Sequence, residues 1–222
     1  MTPGFTGAEI ENLINTAILE AVHNEKEEAD LEDFEYARDR LMMGIERKRL
    51  SVTEKERLCT AFHEAGHTVA CALTPNHMKL YKATIVARGG SLGATYFVPD
   101  DSDSLGMKKD KLIAHIDVCM GGHCAEELFL GKENITSGCS NDLQQATKYA
   151  VKAVNDFGMF GETAGYISKC QKKTSQERRA LIDEKVQEIL KESKDRCTAL
   201  LLKNEKKVRE VAINLYKYDY LN

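Results

Sequence analysis

Apolar residues recur every three or four positions along most of the chain, and this spacing predicts a mainly helical fold. Two capping pairs, Thr6 with Glu9 and Asp30 with Asp33, mark helix starts near the N-terminus. A third helix is expected from overlapping capping boxes at Ser51 and Thr53 to about residue 73. The predicted helices cover about residues 7–23, 30–42, 51–73, 108–130, 141–156, 176–202 and 204–217.

A small β element is predicted between the third and fourth helices. Residues 83–87 and 93–98 form two short strands, separated by the turn-forming pair Gly89-Gly90. The first two helices alone can bury little apolar surface, and a charged connecting segment at residues 45–52 follows them. We therefore expect two parts, residues 1–50 and residues 51–222, in a chain that looks like a piece of a longer protein.

The composition narrows the functional class. The chain has 222 residues, of which 42% are hydrophobic and 30% charged, and a net charge of −4 with no long basic run gives no reason to expect a nucleic-acid partner. Seven cysteines without a C-x-x-C pair indicate reduced thiols rather than a disulfide framework. No apolar run reaches the roughly 18 residues of a membrane span, and no signal peptide is recognisable.

The third predicted helix carries the pattern H-E-x-x-H, as His63, Glu64 and His67. Residues four apart share a helix face, so both imidazoles can bind one zinc ion, while Glu64 can take a proton from a zinc-bound water. This arrangement is typical of peptide hydrolysis. The alternative is a pair of surface histidines with a solvated glutamate, but the flanking residues are largely apolar and predict burial. Gly66 in the helix interior predicts a closely packed neighbour.

A third metal ligand must come from elsewhere in the chain. The spacing leaves six candidates open: His77, His115, His123, Glu126, Glu127 and Asp142. One of the two glutamates can instead support a zinc-binding histidine, and Gly121-Gly122 predicts a close helix contact. The strand at residues 93–98 either pairs with an extended peptide substrate or only covers the core, and both readings remain open.

Several stretches together resemble the FtsH family of membrane-anchored, ATP-dependent zinc metalloproteases, and within it the mitochondrial i-AAA group. The matching stretches are residues 2–8 (TPGFTGA), 62–67 (FHEAGH), 82–92 (KATIVARGGSL), 117–128 (DVCMGGHCAEEL), 137–147 (SGCSNDLQQAT) and 157–159. The resemblance covers nearly the whole chain, and this combination of motifs is highly specific.

The resemblance implies roles for individual residues. Asp142 would be the third zinc ligand beside His63 and His67, Glu64 the catalytic base, and Glu126 a residue that supports the ligands. The segment thought to present substrate corresponds to Gly93, Ala94, Thr95, Tyr96 and Phe97.

The resemblance also implies an architecture and a setting. Residues 1–50 would be the last helices of an AAA lid, and residues 51–222 a helical zinc metallopeptidase domain with a small β-hairpin. The full-length protein would form a homohexamer in the mitochondrial inner membrane, or in a bacterial plasma membrane or plastid. It would use ATP to feed unfolded and membrane proteins to the protease.

The sequence departs from the family pattern in two respects. It contains no Walker A stretch and no transmembrane segment, so ATP and the membrane would act only through parts absent from these residues. His123 stands where the family usually has arginine. The main alternative function is a non-catalytic subunit that keeps the protease fold as a ring scaffold, although every catalytic residue type is in place.

Overall fold

The computed structural model describes Thr2 and residues 4–47, 52–88, 91–98, 106–166 and 175–221. Helices dominate these residues and a small antiparallel sheet accompanies them, which confirms the predicted mainly helical fold. The expected boundary between residues 50 and 51, the capping box of Ser51 and the turn at Gly89-Gly90 lie outside the described residues. Among the described helices, none combines the length and hydropathy that a bilayer span requires.

The chain divides into two compact units, one of Met1–Val52 with Val86–Gly93 and the other of Thr53–Ile85 with Ala94–Asn222. In the first unit, α1 (Gly7–His23) and α2 (Leu31–Met43) begin at the predicted capping boxes. They enclose a small core of Leu13, Ala17 and Ala37. Within this unit, Ala87 accepts a backbone hydrogen bond from Arg47 at 2.8 Å.

The second unit holds the remaining elements. Its helices are α3 (Glu54–Leu73), α4 (Lys109–Cys119), α5 (Gly121–Leu130), α6 (Ser140–Val151), α7 (Gly161–Ala164), α8 (Gln176–Lys203) and α9 (Glu205–Tyr218). Two 3-10 turns, Lys132–Asn134 and Ser137–Cys139, lead from α5 into α6, and a π-helical turn, Lys152–Asp156, ends α6.

Helix α3 is the central element of this unit. Thr53 caps its first turn through the predicted capping box with Glu56. Ten of the residues from Ala61 to Cys71 are buried. Gly66 allows α5 to approach the α3 backbone directly: a Cβ at this position would lie 2.6 Å from the Ala125 Cβ and 2.8 Å from the Gly121 carbonyl carbon. The predicted close neighbour of Gly66 is therefore α5.

The predicted continuous helix over residues 108–130 is wrong, because Met120 separates α4 from α5. The Met120 amide bonds to both Ile116 and Asp117, and its backbone dihedral angles (φ −75°, ψ −9°) depart from helical values. The break turns Gly121 towards α3, where a Cβ would lie 2.9 Å from the Gly66 carbonyl carbon. Helix–helix packing, rather than local preference, sets this boundary.

The sheet has the strand order β2-β1-β3, with β1 (Lys79–Thr84) between β2 (Ala94–Val98) and β3 (Tyr220–Leu221). The prediction for β2 is confirmed within a residue. The predicted bounds of the first strand, 83–87, are wrong, because that strand begins four residues earlier and ends three residues earlier. The Ile85 amide leaves the ladder and donates to the Asp219 carbonyl at 2.9 Å.

The C-terminal segment is fastened to the first turn of α3. The Arg57 guanidinium donates to the Tyr216 carbonyl at 2.8 Å and to the Asp219 carboxylate at 2.6 Å. Asp219 adopts a left-handed conformation (φ 68°), which turns the chain from α9 into β3. One end of the central helix is thus held by residues more than 150 positions away in sequence.

Candidate metal centre

His63 and His67 lie one turn apart on the buried part of α3, and their side chains face each other. The two Nε2 atoms are 3.1 Å apart, and the residues are 9% and 7% exposed. Their spacing follows from the helix, since residues i and i+4 lie on one face. The inward position follows from the apolar residues around them.

Asp142 completes a cluster of three potential ligands. Its Oδ2 atom lies 3.2 Å from the His63 Nε2 and 3.4 Å from the His67 Nε2. It stands in the first turn of α6, where the helix dipole favours a carboxylate. The 3-10 turn before α6 directs this first turn towards α3. Of the six candidates for a third ligand, the structure therefore brings Asp142 to the two histidines.

Hydrogen bonds from the Nδ1 atoms fix the orientation of both imidazoles. The His67 Nδ1 lies 2.8 Å from the Val118 carbonyl oxygen, and the His63 Nδ1 lies 2.8 Å from the Glu126 Oε1. Both partners only accept, so each Nδ1 carries the proton and donates it. When the rings are neutral, as metal binding requires, each Nε2 presents a lone pair, and these lone pairs point at each other.

The Glu126 carboxylate is buried and is fixed by hydrogen bonds from His63 and Thr136. It is 1% exposed, and it accepts from the Thr136 amide at 2.6 Å and from the Thr136 hydroxyl at 3.1 Å. A carboxylate with three donors is satisfied even in a buried position. Of the two adjacent glutamates, Glu126 is therefore the one that contacts a proposed zinc ligand. The Glu127 carboxylate instead lies 2.7 Å from the Lys194 ammonium.

The chemistry of this cluster calls for a cation. Two imidazole lone pairs and a carboxylate oxygen converge within 3.1–3.4 Å of one another, and all three are acceptors. Tetrahedral zinc with ligand distances of about 2.0–2.2 Å requires ligand atoms about 3.3 Å apart. The three atoms form one triangular face of such a tetrahedron, so the donor set fits zinc.

The pKa directions reflect the same attraction. Burial opposes the charge on His63, but its hydrogen bonds to Asp142, Cys139 and Glu126 outweigh burial and hold the pKa of His63 in the metal-free chain well above its usual 6.5. Burial likewise raises the pKa of Asp142, but hydrogen bonds from His63 and His67 outweigh it and lower the pKa of this carboxyl well below 3.8. The pocket therefore favours positive charge between these side chains.

Glu64, the predicted base, is 4% exposed and lies beside this cluster on α3. Its Oε2 accepts a hydrogen bond from the Thr95 hydroxyl at 2.6 Å. Thr95 belongs to β2, the strand predicted to present substrate, and β2 is an edge strand of the sheet that the described residues form. The Thr95 contact was not recognisable from the sequence, because nothing in the alternation of β2 indicates which residue faces α3.

The remaining histidine candidates lie elsewhere. The His77 Nε2 and the His115 Nδ1 are 3.3 Å apart, and the two rings stack on each other. Burial, together with His77, lowers the pKa of His115 to about 4. His123, the departure from the family pattern, lies on α5 with its Nδ1 3.8 Å from the Glu127 carboxylate, which is too long for a hydrogen bond.

Two further residues near the cluster escaped the sequence analysis. The Cys139 Sγ lies 3.8 Å from the His63 Nδ1, and the Thr136 hydroxyl caps the 3-10 turn before α6. Both belong to the stretch 137–147 or border it, but their residue types carry no metal signal at that spacing. Only the fold brings them to His63.

Known protein families match most of the chain. A family model described as peptidase family M41 matches residues 50–222, and one described as the AAA+ lid domain matches residues 1–36. The chain is 40% identical over 222 residues to the mitochondrial inner membrane i-AAA protease supercomplex subunit YME1 of Saccharomyces cerevisiae, covering all of this chain and 30% of that protein.

Similar relatives occur in other lineages. The chain is 39% identical to the ATP-dependent zinc metalloprotease YME1 homolog of Schizosaccharomyces pombe, covering 99% of the chain and 31% of that protein. It is 36% identical to the ATP-dependent zinc metalloprotease FtsH of Buchnera aphidicola, covering all of the chain and 38% of that protein. The chain thus spans about a third of the length of the curated relatives it matches.

Proposed function

Since the chain belongs to peptidase family M41, we propose that it is the zinc-dependent endopeptidase part of a larger, ATP-dependent protease. The observation that carries this proposal is the convergence of His63, His67 and Asp142 on one point, with the carboxylate of Glu64 on the same helix. A two-histidine, one-carboxylate set leaves a fourth tetrahedral position for water, as a catalytic zinc requires.

In this proposal His63, His67 and Asp142 hold the zinc ion. Bound zinc supplies Lewis acidity, which lowers the pKa of a water and polarises a peptide carbonyl. Glu64 is the general base: it takes the proton of the attacking water and delivers it to the leaving amine. Glu126 and the Val118 carbonyl accept from the two Nδ1 atoms, and this would leave the Nε2 lone pairs free to bind the ion.

The substrate is an extended polypeptide that pairs with β2. Gly93, Ala94, Thr95, Tyr96 and Phe97 form the proposed presenting segment, and within the described residues β2 pairs with β1 on one side only. Main-chain hydrogen bonds to such an edge are independent of side chains, which suits a protease that accepts many sequences. They also hold the scissile bond in an extended conformation.

The larger setting is also a proposal, because the chain spans about a third of its relatives. Residues 1–50 would be the last helices of an AAA lid, followed by the peptidase domain at 51–222; the AAA+ lid match to residues 1–36 supports this division. Full-length homohexamers would thread unfolded and membrane proteins into the protease at the expense of ATP. The similarity to YME1 proteins favours the mitochondrial inner membrane over a bacterial or plastid membrane.

The test separates metal binding from catalysis. Glu64→Gln should retain about one zinc per chain by atomic emission but lose hydrolysis of fluorescein-labelled casein by 100-fold or more, as expected when a general base is removed. Asp142→Ala should lose both zinc and activity. Asp156→Ala, an exposed carboxylate on the π-helical turn after the same helix, is the matched control and should change neither.

Two results would contradict the proposal. Full zinc content in Asp142→Ala would mean that another residue is the third ligand. Casein hydrolysis by Glu64→Gln at the rate of the unmodified chain would exclude Glu64 as the base. A chain that binds zinc but never cleaves casein would instead support the scaffold alternative.

A further inference from the structure

We propose that Thr95 is the positioning residue of the general base: its hydroxyl orients the Glu64 carboxylate and ties catalysis to the placement of strand β2. This inference rests on the proposed function, because it assigns Thr95 a role in the same hydrolytic site. Thr95 would touch neither the zinc ion nor the reacting atoms and would act through Glu64.

The contact itself is short and directional. The Thr95 Oγ1 lies 2.6 Å from the Glu64 Oε2, whereas its distance to the Glu64 backbone oxygen is 3.5 Å. The hydroxyl therefore donates to the carboxylate. Bonds of this length between a hydroxyl and an ionised oxygen are the stronger, charge-assisted kind.

The carboxylate has little else to orient it. Glu64 is 4% exposed, and within the described residues Thr95 is the donor that bonds to its side chain. The hydroxyl engages Oε2 alone, so Oε1 is left to accept a proton from water. A buried carboxylate with one fixed oxygen has one preferred rotation about its terminal bond, and this preorganises the base.

The register of the sheet determines which residue makes this contact. Thr95 pairs with Ala83 of β1, which is fully buried, so the side chain of Thr95 stands at a fixed position along β1. A shift of one residue would turn it to the opposite face of the sheet and would bring Ala94 or Tyr96 to α3 instead. Alanine has no donor, and tyrosine carries its hydroxyl too far from the backbone for the same bond.

A functional consequence follows from the position of Thr95 on the proposed substrate strand. The same five-residue strand would hold the peptide through its backbone and the base through one side chain. Displacing β2 would therefore loosen the substrate and misalign Glu64 together. Hydrolysis by a chain whose strand is not in place would be slow even with zinc bound.

Three variants test this role in the zinc-loaded chain, with a fluorogenic peptide as substrate. Thr95→Val keeps the side-chain shape and removes the donor, and kcat should fall about tenfold or more while KM and zinc content stay within twofold. Thr95→Ser restores a hydroxyl and should recover kcat to within about threefold of the unmodified chain. Thr68→Val is the matched control, since the Thr68 hydroxyl bonds to the backbone oxygen of Glu64 at 2.8 Å rather than to its carboxylate.

Three results would overturn the proposal. One is a kcat for Thr95→Val within twofold of the unmodified chain. Another is a Thr95→Ser variant as slow as Thr95→Val, which would show that shape rather than the hydroxyl matters. The third is an equal loss in Thr68→Val, since the effect would then not belong to the carboxylate contact.

A stability measurement on the metal-free chain separates this inference from the proposed function. Thr95→Val should lower the thermal midpoint by about 3 °C or more in the unmodified background, but by less than about 1 °C when Glu64 is alanine. This non-additivity supports the Thr95–Glu64 bond even if the chain never cleaves a peptide. Equal shifts in both backgrounds would refute the bond, whatever the activity.

Discussion

The glycine that faces the first histidine gives the sharpest prediction about the metal centre. Gly122 lies in the first turn of α5, and a Cβ at this position would lie 2.5 Å from the His63 Nε2 and 2.6 Å from the Nδ1. Ordinary contacts between such atoms are about 3.5 Å. The substitution Gly122→Ala must therefore displace the imidazole, or the helix that carries the new methyl group, by about 1 Å.

The size of the effect follows from the geometry of the ligands. A shift of about 1 Å is a third of the 3.1 Å that separates the two Nε2 atoms, so His63 would leave the tetrahedral arrangement. We expect zinc affinity to fall at least 100-fold, which corresponds to about 2.7 kcal/mol. Overpacking should also lower the stability of the metal-free chain by about 1–3 kcal/mol.

Chelator competition and thermal unfolding with and without zinc measure the two effects separately. At a zinc concentration of about 1,000 times the Kd, binding stabilises the unmodified chain by about 4.1 kcal/mol, whereas a 100-fold weaker variant gains about 1.4 kcal/mol. The zinc-dependent rise in thermal midpoint should therefore be smaller by roughly 5–11 °C in Gly122→Ala. Metal-free samples give the packing cost alone.

Two other glycines serve as controls for the same substitution. Gly7→Ala has no neighbour within 4 Å and should change neither zinc affinity nor stability appreciably. Gly66→Ala presses on the backbone of Gly121 rather than on a ring, so it should destabilise the metal-free fold more than Gly122→Ala does. Zinc affinity in Gly122→Ala within threefold of the unmodified chain would refute the reasoning.

Three further predictions concern single contacts. Glu126→Gln removes the charge that faces the His63 ring at nearly constant volume, so zinc affinity in chelator competition should fall about 10- to 100-fold; an unchanged affinity would exclude a supporting role. Thr53→Ala removes the N-cap of α3 and should lower the free energy of unfolding in urea by about 1 kcal/mol, whereas an unaltered midpoint would mean that the cap contributes nothing. Burial and His77 lower the pKa of His115 from 6.5 to about 4, so between these pH values the unfolded chain binds a proton that the folded chain does not. The metal-free chain should consequently lose up to about 3 kcal/mol of stability as the pH falls through this window, and His115→Gln should lose less; parallel pH profiles for both would contradict the assignment.

Local signals predicted the helices whose ends are fixed by local chemistry. Thr6, Asp30 and Thr53 each cap a helix through the box that the sequence indicates. The break at Met120 was missed because residues 108–130 contain nothing that forbids a continuous helix, and the approach of Gly121 to Gly66 decides it. Spacing could predict that the glycines pack closely, but not against which helix.

The sheet shows where periodicity alone fails. The first strand was predicted at 83–87 because those residues are the apolar ones, but β1 begins at Lys79 and includes two lysines. A strand that is partly exposed tolerates such charges, so its start carries little hydrophobic signal. The two residues of β3 are too few for any pattern, and their pairing depends on the turn at Asp219.

Within the candidate site, the sequence alone predicted His63 and His67, because both lie on one helix that sets their geometry. The spacing of His63 and His67 alone brings their Nε2 atoms together. Asp142 lies on another helix, and its approach depends on the packing of α6, so spacing left it among six candidates until the family resemblance was considered. The Thr95 bond depends on sheet register and had no local signal.

The ion pair between Arg57 and Asp219 affects the order in which parts of the chain can fold during translation. These residues are 162 positions apart, so at about 5–20 residues per second roughly 8–30 s pass between their synthesis. During that interval the histidines and Asp142 have already been translated, but α3 lacks the partner that fixes its first turn. The first turn of α3 should therefore gain its contact with Asp219 only after the proposed zinc ligands have already been synthesised.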